Sequence, residues 1–136
     1  MDVRIKIYCI DEMDSTCEVY GFLHVNIGNR PGNQNIELWR KYENGGIDVP
    51  KRREHHIDIQ HVFQEYMAFT LSQDSVTFTG EFKEDDGITS DDRLAVITGQ
   101  TNAIIRANEI YNTYKTERFT GGSNWVEIMV RLTTSG

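Results

Sequence analysis

Apolar and polar residues alternate in short runs along most of the chain, and this period of two constrains its fold more than any other feature. Val3, Ile5, Ile7 and Cys9 alternate with Arg4, Lys6 and Tyr8. From 19 to 27, Val19, Gly21, Leu23, Val25 and Ile27 alternate with Tyr20, Phe22, His24 and Asn26. Successive side chains of a strand point to opposite faces, so each run reads as a strand with one face buried. Similar runs follow at Ile36, Leu38 and Arg40, at Ile57, Ile59, His61 and Phe63, at Met67, Phe69 and Leu71, and at Val76, Phe78, Gly80 and Phe82. Two more are Leu94, Val96 and Thr98, and Val126, Ile128, Val130 and Leu132. Turn formers such as "GNRPGNQ" and "ENGGIDVPKRRE" separate them. The segment from Ala103 to Thr120 also fits a helical face through Ile104, Ala107, Tyr111 and Tyr114, and is expected to be mainly strand. Short strands at this spacing predict an all-β fold, a single antiparallel β-sandwich of about eight strands. With 136 residues and no dividing linker, one domain spans 1–136.

Charge is uneven. Asp11, Glu12, Asp14 and Glu18 lie in one segment and Glu84, Asp85, Asp86, Asp91 and Asp92 in another. Outside those nine, 12 acids face 14 Lys and Arg, so the net charge of -7 is local to two loops. Such a distribution disfavours a phosphate track, and no nucleic-acid partner is expected. Nothing in the sequence forces the two loops to one end of the sandwich. Brought together, they form an oxygen-rich pocket whose like charges oppose one another's ionisation unless a cation neutralises them. Calcium suits loop carboxylates and carbonyls, since it takes six to eight oxygens in flexible geometry. An EF-hand register fails, because Gly87 at its sixth position puts Phe82 at the first, where Asp is needed.

The fourteen residues "FKEDDGITSDDRLA" from Phe82 to Ala95 resemble the third calcium loop of C2 domains. By that resemblance Glu84, Asp86 and Asp92 stand at ligand positions, with Asp91 beside the last and Thr89 where a hydroxyl is common. Ile88 falls at a membrane-inserting tip. "CEVYGFLHV" is similar to the family's element after its first loop, which implies Glu18 and either Asp11 or Glu12 as further ligands and Met13 near a loop tip. Glu84 and Glu18 occupy positions where the family has Asp, and Ala95 one where it has Gly. The resemblance implies a C2-like sandwich that binds Ca2+ and attaches to anionic membrane surfaces.

Other readings stand beside it. The acidic loops also read as a solvated rim that keeps strand ends from pairing, with Lys83 and Arg93 offsetting part of the repulsion. Lys51, Arg52 and Arg53 form the one basic cluster, a polar turn or a contact for anionic headgroups. An acidic protein–protein module that docks on a basic protein partner, as subunit, adaptor or inhibitor, needs no metal. A carbohydrate-binding sandwich would use Trp39, Tyr42 or Trp125. His55, His56 and His61 lack the spacing of a metal site, and no nucleophile motif is present, so no catalytic activity is expected. The opening "MDVRIKIY" has no charged-then-apolar leader and no segment approaches a membrane span, so a cytoplasmic location, with peripheral membrane attachment, is expected. On that basis Cys9 and Cys17 are expected as free thiols.

Overall fold

The computed structural model describes residues 1–10, 16–27, 35–60, 71–85 and 92–133. Among the described residues, ten strands form two antiparallel sheets. They are β1 (Asp2–Tyr8), β2 (Thr16–Ile27), β3 (Ile36–Lys41), β4 (Ile47–Pro50), β5 (His55–Gln60), β6 (Ser75–Glu84), β7 (Asp92–Val96), β8 (Ile104–Arg106), β9 (Lys115–Gly121) and β10 (Asn124–Arg131). One sheet has the order β5-β1-β10-β9. The other has the order β3-β2-β6-β7, with β4 also paired to β2 and β8 also paired to β6.

The ten strands fill eight lanes. β3 runs along Gly21 to Val25 of β2 and β4 continues along Thr16 to Val19, with a 3₁₀ turn at Glu43–Gly45 between them. On the opposite edge, β7 covers Glu81 to Glu84 of β6 and β8 covers Ser75 to Thr77. The expected β-sandwich is thus the observed fold, with two edge strands interrupted. Residues 103–120 prove mixed: β8, one helical turn α1 (Ala107–Ile110) and β9. The turn is held because Ala107 and Ile110 are buried while Asn108 and Glu109 face water. The run expected at Met67 to Leu71 lies, but for Leu71, outside the described residues.

Alternation builds the core as the sequence predicts on β1, β2, β6 and β10, but not on β7. Beside the register shift at Phe82/Lys83 the buried residues are Leu94, Ala95 and Ile97, while Val96 is half-buried and Thr98 exposed, so the expected run Leu94, Val96 and Thr98 is corrected. Val3, Ile5 and Ile7 of β1, Val126, Ile128 and Val130 of β10, Leu23 and Val25 of β2 and Val76, Phe78 and Phe82 of β6 meet between the sheets. Fully burying each of the larger side chains contributes about 1.5–3 kcal/mol. At the centre of the β2–β6 pair two glycines permit close approach. A Cβ on Gly21 would stand 2.0 Å from the Glu81 carbonyl oxygen, and one on Gly80 would stand 2.2 Å from that of Phe22.

The pairings fix which connections share an end. Tyr8 pairs with Trp125, His55 with Ile7, Pro50 with Thr16, and Glu84 with both Val19 and Asp92. The connections β1–β2, β4–β5, β6–β7 and β9–β10 therefore all emerge at one end of the sandwich.

Candidate functional site

That shared end carries the strand ends that flank both acidic segments. Cys9, the last inward residue after β1, and Cys17, the first inward residue of β2, are joined in a disulfide with their Cα atoms 6.5 Å apart. This corrects the expectation of free thiols. Alternation aims both sulfurs into the sandwich from adjoining strand ends of different sheets, within the span that a disulfide bridges. The first acidic loop is thereby pinned at its base. The second is tied to it by the backbone N–H of Asp85, which donates to the Glu18 carbonyl at 2.9 Å. The basic turn joins the same rim, because the N–H of Arg52 donates to the Cys9 carbonyl at 3.0 Å. Arg52 holds a left-handed backbone, φ 59°, unusual for a side chain with a Cβ. From the fourth connection, the Asn124 side-chain oxygen accepts a hydrogen bond from the Ile10 N–H at 2.9 Å.

The predicted site residues separate into groups. Asp11, Glu12, Met13, Asp86, Ile88 and Asp91 lie outside the described residues, as do the side chain of Asp92 and all of Thr89. Glu18 and Glu84 are described, and the structure sets them on opposite faces of one sheet. Glu84 continues the inward phase of Val76, Phe78 and Phe82 and is 6% exposed, whereas Glu18 follows the buried Cys17 on the outer face of β2. Strand alternation keeps neighbours of this kind apart. Glu84 lies instead against the disulfide, with an Oε2 to Cys9 Sγ distance of 3.9 Å. Neither disulfide sulfur carries a proton, so this is a close approach and not a hydrogen bond.

The cations expected to offset the acidic loop face elsewhere. Lys83 and Arg93 are cross-strand neighbours, and both approach Glu81, at 3.4 and 3.9 Å, on the outer face of the sheet. Lys51, Arg52 and Arg53 form no ion pair with any described residue, and Arg52 and Arg53 are exposed. The described part of the rim thus combines the stems of both acidic segments with three cations on its β4–β5 corner.

The aromatic residues considered for sugar binding are mostly engaged in packing. Trp39 stacks on the buried Phe82 ring at 5.1 Å. The Trp125 ring is covered from the neighbouring strands on either side, by Tyr8 stacked at 5.3 Å and by the Arg118 guanidinium at 4.0 Å. Arg118 is itself held by Glu127. Tyr42 is 67% exposed, with Arg40 5.7 Å from its ring centre. His55 and His56 alternate on β5, and His56 lies 3.6 Å from Glu54; His61 lies outside the described residues. Among the described residues one group of three metal-ligating side chains comes together: Cys9, Cys17 and Glu84. Sequence reasoning missed that group, although the inward phase of all three was available as a signal.

No protein-family model matches the chain, and no curated protein matches it. Among solved structures, a chain in the crystal structure of the Cry23Aa1 and Cry37Aa1 binary protein complex is similar, with a TM-score of 0.58 and 20% identity over 96% of both chains. At that identity the likeness shows the all-β fold alone. Among the described residues, no helix is long and apolar enough to cross a membrane.

Proposed function

We propose that this domain is a non-catalytic binding module whose acidic end takes up calcium and then docks on an anionic membrane surface. The observation that carries this reading is the convergence of both acidic loop stems, pinned by the Cys9–Cys17 disulfide and the Asp85 to Glu18 hydrogen bond. Two loops rooted this close concentrate carboxylates whose mutual repulsion a divalent cation relieves. Lys83 and Arg93, engaged with Glu81, leave that task to another charge. The ligands come from the loops themselves: Asp11 or Glu12 from the first, Asp86, Asp91 and Asp92 from the second. Lys51, Arg52 and Arg53 on the same rim supply attraction to anionic headgroups, on the order of 1 kcal/mol each. Met13 and Ile88 are the apolar residues that enter the interface.

A buried disulfide favours an oxidising compartment over the cytoplasm, where thiols are kept reduced. Extracellular calcium modules work with dissociation constants of roughly 10⁻⁴ to 10⁻³ M, so a modest site suffices there.

The test is calcium titration calorimetry on chelator-stripped protein, with magnesium as control and a thermal melt alongside. Saturable heat with a raised melting temperature, lost in the Asp86→Asn/Asp92→Asn double variant, supports the site. Calcium-dependent sedimentation with phosphatidylserine vesicles, absent with phosphatidylcholine, then supports the membrane. No heat and no thermal shift at millimolar calcium defeats the reading. A second reading then takes its place, in which the acidic rim docks on a basic protein partner. It is favoured by the similar solved structure, whose chains form a binary protein complex. Association of that kind weakens steeply with salt and needs no metal.

A further inference from the structure

We infer that reduction of the Cys9–Cys17 disulfide turns these two residues, with Glu84, into a site for a thiophilic divalent cation of the zinc class. One ligand atom from each of the three lies within 4.8 Å of the others, and all three side chains are buried. In a tetrahedral zinc site, with metal–sulfur bonds of about 2.3 Å and metal–oxygen bonds of about 2.1 Å, neighbouring donors stand roughly 3.5–3.8 Å apart. Glu84 Oε2 already stands 3.9 Å from Cys9 Sγ. Once the bond between the sulfurs is broken, they need only move apart around the ion. Two donors sit on paired strands, Cys17 opposite Val49 and Glu84 opposite Val19, and the third, Cys9, lies one residue past β1 with its carbonyl accepting from the Arg52 N–H. Donors on paired strands hold their geometry better than donors on loops. In the oxidised protein the sulfurs offer the Glu84 carboxylate no proton; in the reduced protein a metal binds all three donors.

A dithiol or phosphine reductant delivers two electrons to the disulfide, which takes up two protons to give two thiols. Metal binding then displaces both protons and forms two metal–thiolate bonds, with Glu84 as third donor and water in the fourth position. Affinity therefore rises with pH. The site is distinct from the calcium loops in residues and in metal preference, and it does not depend on that reading.

The experiment is anaerobic cobalt(II) titration of the full chain, oxidised and phosphine-reduced. The reduced protein is expected to bind one equivalent with thiolate-to-cobalt charge-transfer absorption and tetrahedral ligand-field bands, displaced by zinc. The oxidised protein shows neither. Glu84→Gln, which leaves the disulfide intact, weakens cobalt and zinc binding at least tenfold in the reduced state. The Asp86→Asn/Asp92→Asn double variant leaves cobalt binding unchanged, which separates this site from the calcium site. A reduced, folded protein without thiolate-to-cobalt absorption overturns the proposal, as does equal affinity in Glu84→Gln. If reduction unfolds the domain, zinc is expected to restore its far-ultraviolet circular dichroism, and failure to restore it overturns the proposal equally.

Discussion

Glu84 lies directly across the β2–β6 pair from Val19, and both face the interior. A carboxylate at the end of a core-facing row is held by its strand, not by the loop that follows. On the proposed reading its role therefore differs from those of Asp86 and Asp92, although the sequence places all three within nine residues. Glu84→Gln is expected to leave calcium affinity within about threefold, whereas Asp86→Asn/Asp92→Asn abolishes the saturable heat. Side-by-side calorimetry checks this, and equal losses in both variants would return Glu84 to the calcium ligand set. Glu84→Lys instead forces a longer cation against the disulfide and the core, at a cost of more than about 2 kcal/mol in urea unfolding.

The disulfide closes a short loop, with a sequence separation of 8. Chain-entropy reasoning gives about 2–3 kcal/mol for a closure of that length. Reduction in metal-free buffer, or Cys17→Ser, is expected to lower the melting temperature by roughly 5–10 °C for a domain of this size. The same change loosens the base of the first acidic loop, so calcium affinity falls with it. Thermal melts with and without phosphine reductant measure the first effect and calorimetry the second. Stability that does not respond to reduction would show that the loop is pinned by its hydrogen bonds alone.

Much of this arrangement is legible in the sequence, and what is not has a physical reason. Period-two alternation locates β1, β2, β6 and β10, because one face of each is buried and the code for burial is local. The same alternation reaches further than the strands. Cys9 continues Val3, Ile5 and Ile7, Cys17 precedes Val19 in phase, and Glu84 follows Phe82 in phase, so all three are marked as inward residues. The free-thiol expectation rests on the compartment inferred for the chain, and that inference overrides the geometry. The convergence of the two acidic loops is not legible, since it depends on Tyr8 pairing with Trp125 and Glu84 with Val19, contacts between residues far apart in the chain. Edge interruptions such as the 3₁₀ turn at Glu43–Gly45 leave no periodic trace, and α1 is a single turn, too short for its buried Ala107 and Ile110 to establish a helical period.

On the outer face of the second sheet, the Glu37 carboxyl is held below the usual carboxylate range, first by its hydrogen bond from Arg40 and then by His24. A carboxyl depressed in the folded state contributes stability above its ordinary pKa of about 4.5, and that contribution is lost as pH falls through the lower folded value. Glu37 is solvent-exposed, so salt screens the effect. In Arg40→Met the Glu37 titration midpoint, followed by carbon-13 chemical shift, is expected to move up toward the ordinary value. An unmoved midpoint would mean that Arg40 does not hold the carboxyl in solution. Because Arg40 also lies 5.0 Å from the Phe22 ring centre, Met keeps part of the packing and isolates the charge.

The seam that brings the acidic loops together depends on Gly21. Its φ of 138° lies where L side chains rarely go, and an added Cβ would meet the Glu81 carbonyl oxygen at 2.0 Å and the Phe82 Cα at 3.1 Å. Both obstacles are backbone, and the strand that carries them cannot retreat without breaking the β2–β6 ladder from Val19 to Ile27. Gly21→Ala is therefore expected to destabilise the domain by more than about 2 kcal/mol. Gly45→Ala is its control: beyond its own turn and chain neighbours nothing lies within 4 Å of the added Cβ, and stability should stay within about 0.5 kcal/mol. Urea unfolding of the two variants measures the difference. If both are equally mild, the ladder can open at Gly21 without loss, and the register that sets Glu84 opposite Val19 is looser than the pairing implies. If only Gly21→Ala is severe, the close approach of β2 and β6 is what holds Glu18 and Glu84, the described stems of the two acidic segments, at one end of the sandwich.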